Sequence, residues 1–107
     1  MITATIFNNS QGKTLGFMVK NHGQTHVCAA VSMLVINTAN SIEKLTPDTK
    51  FTCDWDDCGG FIKFHLADEK QRNTGAGILL DAMVLGLTDV GHEHPNEIQV
   101  HVKEVKP

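Results

Sequence analysis

The stretch VCAAVSMLVINTANSIEKL, residues 27–45, decides the fold because its apolar side chains recur every three or four positions. This periodicity predicts an amphipathic helix. The Thr-Pro-Asp sequence at 46–48 predicts its end. Its apolar face consists of Val27, Ala30, Val31, Leu34, Thr38, Ile42 and Leu45. A helix with one such face needs a sheet or another helix to cover it.

The segments around this helix predict two strand pairs. Residues 2–7 alternate apolar and polar side chains, and a polar turn separates them from a second strand at 14–20. After the helix, residues 50–55 and 60–67 form another such pair around an acidic, Gly-rich turn. Each pair is therefore expected to form an antiparallel hairpin.

The C-terminal part adds a second helix and a closing strand. Residues 68–73 are predicted as a charged loop, and residues 74–90 return to helical spacing, with Asn73 or Thr74 as the cap. Alternation resumes at 97–105. The order ββαββαβ predicts an α+β two-layer sandwich, with two helices on one face of a five-stranded sheet. Residues 1–107 are expected to form a single domain.

Composition narrows the class of protein. The chain has a net charge of −3, and its nine Lys and Arg residues form no cluster, which disfavours direct nucleic-acid binding. The N-terminus lacks the pattern of a signal peptide, and no apolar run is long enough for a membrane span. Three irregularly spaced cysteines indicate reduced thiols. A cytoplasmic location is therefore expected.

Cys28 is the main candidate for chemistry. It follows a polar turn at 21–25 and lies in the first turn of the predicted helix, where the helix dipole favours a thiolate. A free cysteine in a helix is usually a small buried hydrophobe. Cys28, however, lies one position off the apolar face and shares a side of the helix with Ser32. These features favour a reactive nucleophile.

Two histidines are candidates for its general base. His22 lies in the preceding turn, and a folded turn can bring its imidazole within hydrogen-bond reach of the thiol. His26 is the rival, although it lies near the helix cap, where its ring can point away from Cys28. No carboxylate is clearly placed to orient either ring. The identity of the base stays open on these grounds.

A metal site is a weaker hypothesis. Cys53, Cys58 and His65 offer thiol and imidazole donors, but the second Cys-x-x-Cys pair typical of structural zinc sites is missing. No metal and no cofactor are therefore predicted. The acidic turn is most simply a solvated loop that can attract a basic peptide; its carboxylates are Asp54, Asp56 and Asp57.

The block VCAAVS at 27–32, with His22 before it, resembles the start of the first helix in the ribosomal-processing cysteine protease family, Prp. Chain length, element order, the Gly59-Gly60 turn and the LGLT stretch at 85–88 fit the same family. The departures lie between His22 and Cys28. That loop is short for the family, and Thr25 replaces an aspartate as the helix cap.

The resemblance implies a cytoplasmic cysteine endopeptidase, usually a homodimer, with Cys28 as nucleophile and His22 as base. Ser32, Thr25 and His26 are supporting candidates. The implied substrate is the N-terminal extension of ribosomal large-subunit protein twenty-seven, cleaved after a bulky apolar residue in a basic peptide. The short loop and the absent aspartate favour an alternative, a catalytically impaired member that only binds the ribosomal protein. A metal-dependent or redox protein is a third hypothesis.

Overall fold

The computed structural model describes residues 1–20, 26–56 and 60–106, and their elements follow the order ββαββαβ. The strands are β1 (Ile2–Asn8), β2 (Thr14–Lys20), β3 (Phe51–Asp56), β4 (Phe61–Leu66) and β5 (Ile98–Glu104), and the long helices are α1 (His26–Leu45) and α2 (Ala76–Glu93). The predicted α+β sandwich is confirmed. No helix within these ranges is long and apolar enough to cross a membrane.

The sheet is mixed, with strand order β3-β4-β2-β1-β5. β1 pairs with β2 antiparallel and with β5 parallel, and both predicted hairpins form, since β3 also pairs antiparallel with β4. β2 joins the two hairpins through its antiparallel pairing with β4. This order leaves β3 and β5 at the edges of the sheet.

The core lies between the helices and one face of the sheet. Ring contacts at its centre include Phe17 against Phe64, with centroids 5.4 Å apart. The apolar side of α1 contributes Val27, Val31, Val35, Ala39 and Ile42, and α2 contributes Ala76, Leu80, Met83 and Leu87. The predicted face is confirmed at Val27, Val31, Thr38 and Ile42. It was wrong at Ala30 and Leu45, which are exposed, because the buried stripe instead runs through Val35 and Ala39.

The segment before α2 differs from its prediction. Most of the predicted loop is a 3₁₀ helix (Glu69–Thr74), capped by Asp68, whose carboxylate accepts a hydrogen bond of 2.9 Å from the Lys70 N–H. Gly75 then takes a positive φ of 105° and precedes α2. The prediction of Asn73 or Thr74 as the cap was wrong, because the left-handed Gly75 occupies the cap position between the 3₁₀ helix and α2. The Thr74 hydroxyl still accepts a long hydrogen bond of 3.5 Å from the Ala76 N–H.

Candidate active site

Cys28 lies in the first turn of α1, as the sequence predicts. Its side chain is half-buried and packs against the apolar core. The first turn contains no acidic residue, so no carboxylate within that turn offsets the positive end of the helix dipole. The N–H groups of that turn have no acceptor within the helix. The backbone N–H groups at the start of a helix can hold an anionic group.

Cys28 lies on the side of α1 that faces the β3 edge of the sheet. Ser32 and Ile36 follow at intervals of four residues, so the three side chains lie on the same side of the helix. Both are half-buried, while the adjacent stripe of Val27 and Val31 is fully buried. The sequence-based assignment of Cys28 to the border of the apolar face thus agrees with the structure.

His26 points to another part of the molecule. Its imidazole meets the ring of His94 edge-on, with centroids 5.9 Å apart. Residues two apart on a helix are separated by about 200°. His26 therefore lies towards the end of α2, and Cys28 lies on the side of β3 and β4. His22 and Thr25, the other candidates beside the thiol, lie outside the described residues.

A groove adjoins the side of α1 that carries Cys28. It consists of two clefts of about 160 and 200 Å³ between α1 and the strands β3 and β4. Ile36, Trp55 and Ile62 line both clefts, so the two are continuous. Ser32 lines the end nearer Cys28, and Glu43 lines the far end. We call this feature the α1–β3 groove.

Two of the candidate zinc donors, Cys53 and His65, lie on opposite faces of the sheet. Cys53 pairs in register with the buried Phe64, so its thiol faces the helices. His65 follows Phe64 and faces the other side, and its Nδ1 lies 2.7 Å from the Leu66 carbonyl oxygen. Cys58 lies outside the described residues. Among those described, no group of three or more potential metal ligands occurs.

Partial burial raises the pKa of the Cys53 thiol, and the nearby carboxylates of Asp54 and Glu43 raise it further. A raised pKa keeps this thiol protonated at neutral pH. Cys53 is therefore poorly suited to act as a nucleophile, in contrast to a cysteine at a helix N-terminus.

Two groove residues were missed by sequence reasoning. Trp55 is 60% exposed on the helix-facing side of β3, and Glu43 stands on the outer part of α1. A tryptophan within an acidic strand was the available signal, since a large exposed apolar side chain is typical of binding surfaces. Nothing in the sequence separates Glu43 from an ordinary solvated helix residue.

Comparison with known proteins supports the same kind of site. The sequence model of the family described as cysteine protease Prp matches residues 1–99 of this chain. The fold is similar to an essential ribosomal processing protease Prp from S. aureus in complex with a substrate peptide, at 27% identity and a TM-score of 0.85, covering 96% of this chain and 100% of that chain. A Prp structure from S. aureus with a covalently linked product peptide gives 28% identity and 0.84, with the same coverage.

SMU.848 from Streptococcus mutans shares the fold, with 24% identity, a TM-score of 0.82 and coverage of 98% of this chain and 99% of that chain. A comparison with curated protein sequences gives no match. The family model spans nearly the whole sequence and includes the helix that carries Cys28. The chain therefore belongs to the cysteine protease Prp family and is a cysteine endopeptidase.

Proposed function

We propose that this endopeptidase processes a ribosomal protein, with Cys28 as the nucleophile and His22 as the general base. The observation that carries the proposal is the position of Cys28 in the first turn of α1, on the side of the helix that continues into the α1–β3 groove. A nucleophile needs an activating environment and an adjoining surface for substrate, and this position combines both.

The proposed reaction follows the thiol–imidazole pattern. His22 takes the Sγ proton of Cys28, and the thiolate attacks the scissile carbonyl carbon. Backbone N–H groups at the start of α1 hold the oxyanion, where one donor is typically worth about 3 kcal/mol. Protonated His22 gives its proton to the departing amine, which leaves a thioester on Cys28. Water, deprotonated by His22, then hydrolyses the thioester and regenerates the thiol.

Supporting roles go to three neighbours. Ser32 lies one turn after Cys28 and lines the near end of the groove, which supports a role in contacting the substrate beside the thioester. Thr25 is suited to cap α1. His26 lies at the end of α2 and is assigned a packing role.

For the substrate we infer the N-terminal extension of ribosomal large-subunit protein twenty-seven. The similarity to an S. aureus protease whose structure holds a substrate peptide supports this inference. We further propose that residues 1–107 form one domain, that the enzyme acts in the cytoplasm as a homodimer, and that it needs no cofactor.

The test uses that ribosomal protein with its N-terminal extension, with cleavage followed by mass spectrometry. The parent enzyme should release the extension, and Cys28→Ala should lower the rate by about a thousandfold or more. Cys58→Ala is the matched control, because it removes a different thiol of the chain. Cleavage by Cys28→Ala at the parent rate would overturn the assignment. Tight binding without cleavage by the parent would instead indicate a binding module.

A further inference from the structure

The α1–β3 groove has the dimensions of an extended peptide. Ser32 lies near Trp55 and Asp56, whereas Glu43 lies near Phe51, so α1 and β3 run in opposite directions along it. From Ser32 to Glu43 the helix advances about 17 Å. From Phe51 to Asp56 the strand advances a similar distance, about 17 Å. The two walls are thus of equal length.

β3 is an edge strand, and no helix packs closely over its residues 52–56. Residues 52–56 are all exposed, although an edge strand normally buries every second side chain. Cys53 and Trp55 point to the helix side, since they pair in register with the buried Phe64 and Ile62. An uncovered edge strand offers backbone N–H and C=O groups to another extended chain.

The charges along the groove are of one sign. Glu43 stands at the far end and Asp56 at the end nearer Cys28, and none of the described lining residues is basic. Between them the lining is largely apolar. Glu43 forms no ion pair within the described part of the chain. The groove therefore favours a peptide that combines apolar and basic side chains.

We propose that the substrate segment preceding the scissile bond lies extended in the α1–β3 groove, beside the free edge of β3, and that Glu43 binds a basic side chain of this segment. This inference rests on the proposed function. The segment before the scissile bond stays attached to Cys28 as a thioester until water releases it. A long contact surface therefore holds this segment in place through both chemical steps.

The rise of the helix fixes the position of the basic residue. From Cys28 to Glu43 α1 advances about 22 Å. An extended peptide covers that distance with about seven residues. The Glu43 carboxylate therefore meets the side chain that lies six or seven residues before the scissile bond.

A set of synthetic peptides tests this position. The scissile bond stays fixed, and a single lysine replaces glutamine at each position in turn on both sides of the bond. We expect kcat/KM to be highest with lysine six or seven residues before the bond, by about two- to fivefold over the all-glutamine peptide. A flat profile, or a maximum after the bond, would overturn the inference.

Charge reversal assigns the effect to Glu43. Glu43→Lys should lose the preference for lysine at this position and gain one for glutamate. Asp48→Lys is the matched control, because Asp48 is an exposed carboxylate just beyond α1 that does not line the groove. The control should keep the preference for lysine. An equal response of both variants would show that only net charge matters and would refute a contact at Glu43.

Two further readouts separate this inference from the proposed function. Cleavage of the all-glutamine peptide by the parent, and its loss in Cys28→Ala, report on the proposed function alone, so a failed lysine scan leaves the protease assignment intact. In a Cys28→Ala/Cys58→Ala background, the lysine peptide should slow alkylation of Cys53 on the groove wall. A peptide with glutamate in place of that lysine, at equal concentration, should protect Cys53 less. Absence of protection at saturating peptide would place the substrate elsewhere.

Discussion

The imidazole rings of His26 and His94 lie edge-on to each other, with an angle of 79° between their planes. On the other side, His94 Nδ1 lies 3.3 Å from a carboxylate oxygen of Glu97. These contacts join the start of α1 to the end of α2. They also hold the His26 ring on the side of the helix opposite Cys28.

His26→Ala should therefore leave catalysis nearly intact. We expect kcat/KM within about threefold of the parent, because the ring does not face the thiol. His22→Ala is the comparison and should lower kcat/KM by about a hundredfold or more, the usual contribution of a general base. Peptide cleavage over a pH series measures both. The reverse ranking of the two variants would make His26 the base.

Gly16→Ala should be strongly destabilising. A Cβ at Gly16 would come within 2.2 Å of the Phe64 carbonyl oxygen and 2.9 Å of the His65 Cα, and these backbone atoms are fixed by the pairing of β2 with β4. We expect a loss of about 3 kcal/mol in the free energy of unfolding, the upper end for overpacking. Urea denaturation measures it.

Gly12→Ala is the control for this prediction. Gly12 has a φ of 77° and open space around its Cα, so the only cost is the left-handed backbone. That cost is about 1 kcal/mol. An equal loss for the two glycines would show that the close contact at Gly16 relaxes.

Arg72 connects three elements and should contribute to stability. Its guanidinium donates a 2.6 Å hydrogen bond to the Thr14 carbonyl oxygen and a 2.8 Å bond to the Asp81 carboxylate. Arg72→Met keeps the aliphatic stem but removes both bonds. We expect a loss of about 1–2 kcal/mol in the free energy of unfolding. Asp81→Asn should lose less, since the Asp81 side chain is half exposed and its ion pair is screened by solvent.

Alkylation of Cys53 should depend on pH in a defined direction. Because burial, Asp54 and Glu43 raise its pKa, the thiolate fraction stays small at neutral pH and grows only above the range of an ordinary thiol. In the Cys28→Ala/Cys58→Ala background, the alkylation rate should therefore rise at higher pH than that of a free cysteine peptide. Glu43→Gln should shift this rise to lower pH, whereas Asp48→Asn should not.

The fold was predictable because its elements are amphipathic. The apolar spacing in α1 and the alternation in β1 point to the same core, so local pattern and tertiary packing agree. The residue at which α2 begins could not be predicted from the capping residues in the sequence. There, Gly75 and the preceding 3₁₀ helix are set by tertiary contacts, such as the hydrogen bond from the Lys50 N–H to the Gln71 side chain at 2.8 Å.

The site was predictable only in part. Cys28 could be located because helix periodicity places it beside the buried stripe, and the same periodicity brings Ser32 to its side. The groove could not be predicted, since it arises where α1 leaves β3 uncovered, and such a gap depends on the packing of the whole layer. Trp55 is exposed for this reason, although it pairs in register with the buried Ile62 and lies on the same face of the sheet.

The continuity of α1 has a consequence for how this enzyme can change. Helix α1 runs without interruption from His26 to Leu45, so Cys28 and Glu43 are joined by a single rigid element. Insertion of one residue between them would rotate Glu43 by about 100° and turn it away from the groove. Only insertions of three, four or seven residues nearly preserve the face. The distance between the scissile bond and the basic residue of the substrate would therefore change in steps of whole helical turns. The exposed residues of β3 can be substituted one at a time without such a constraint.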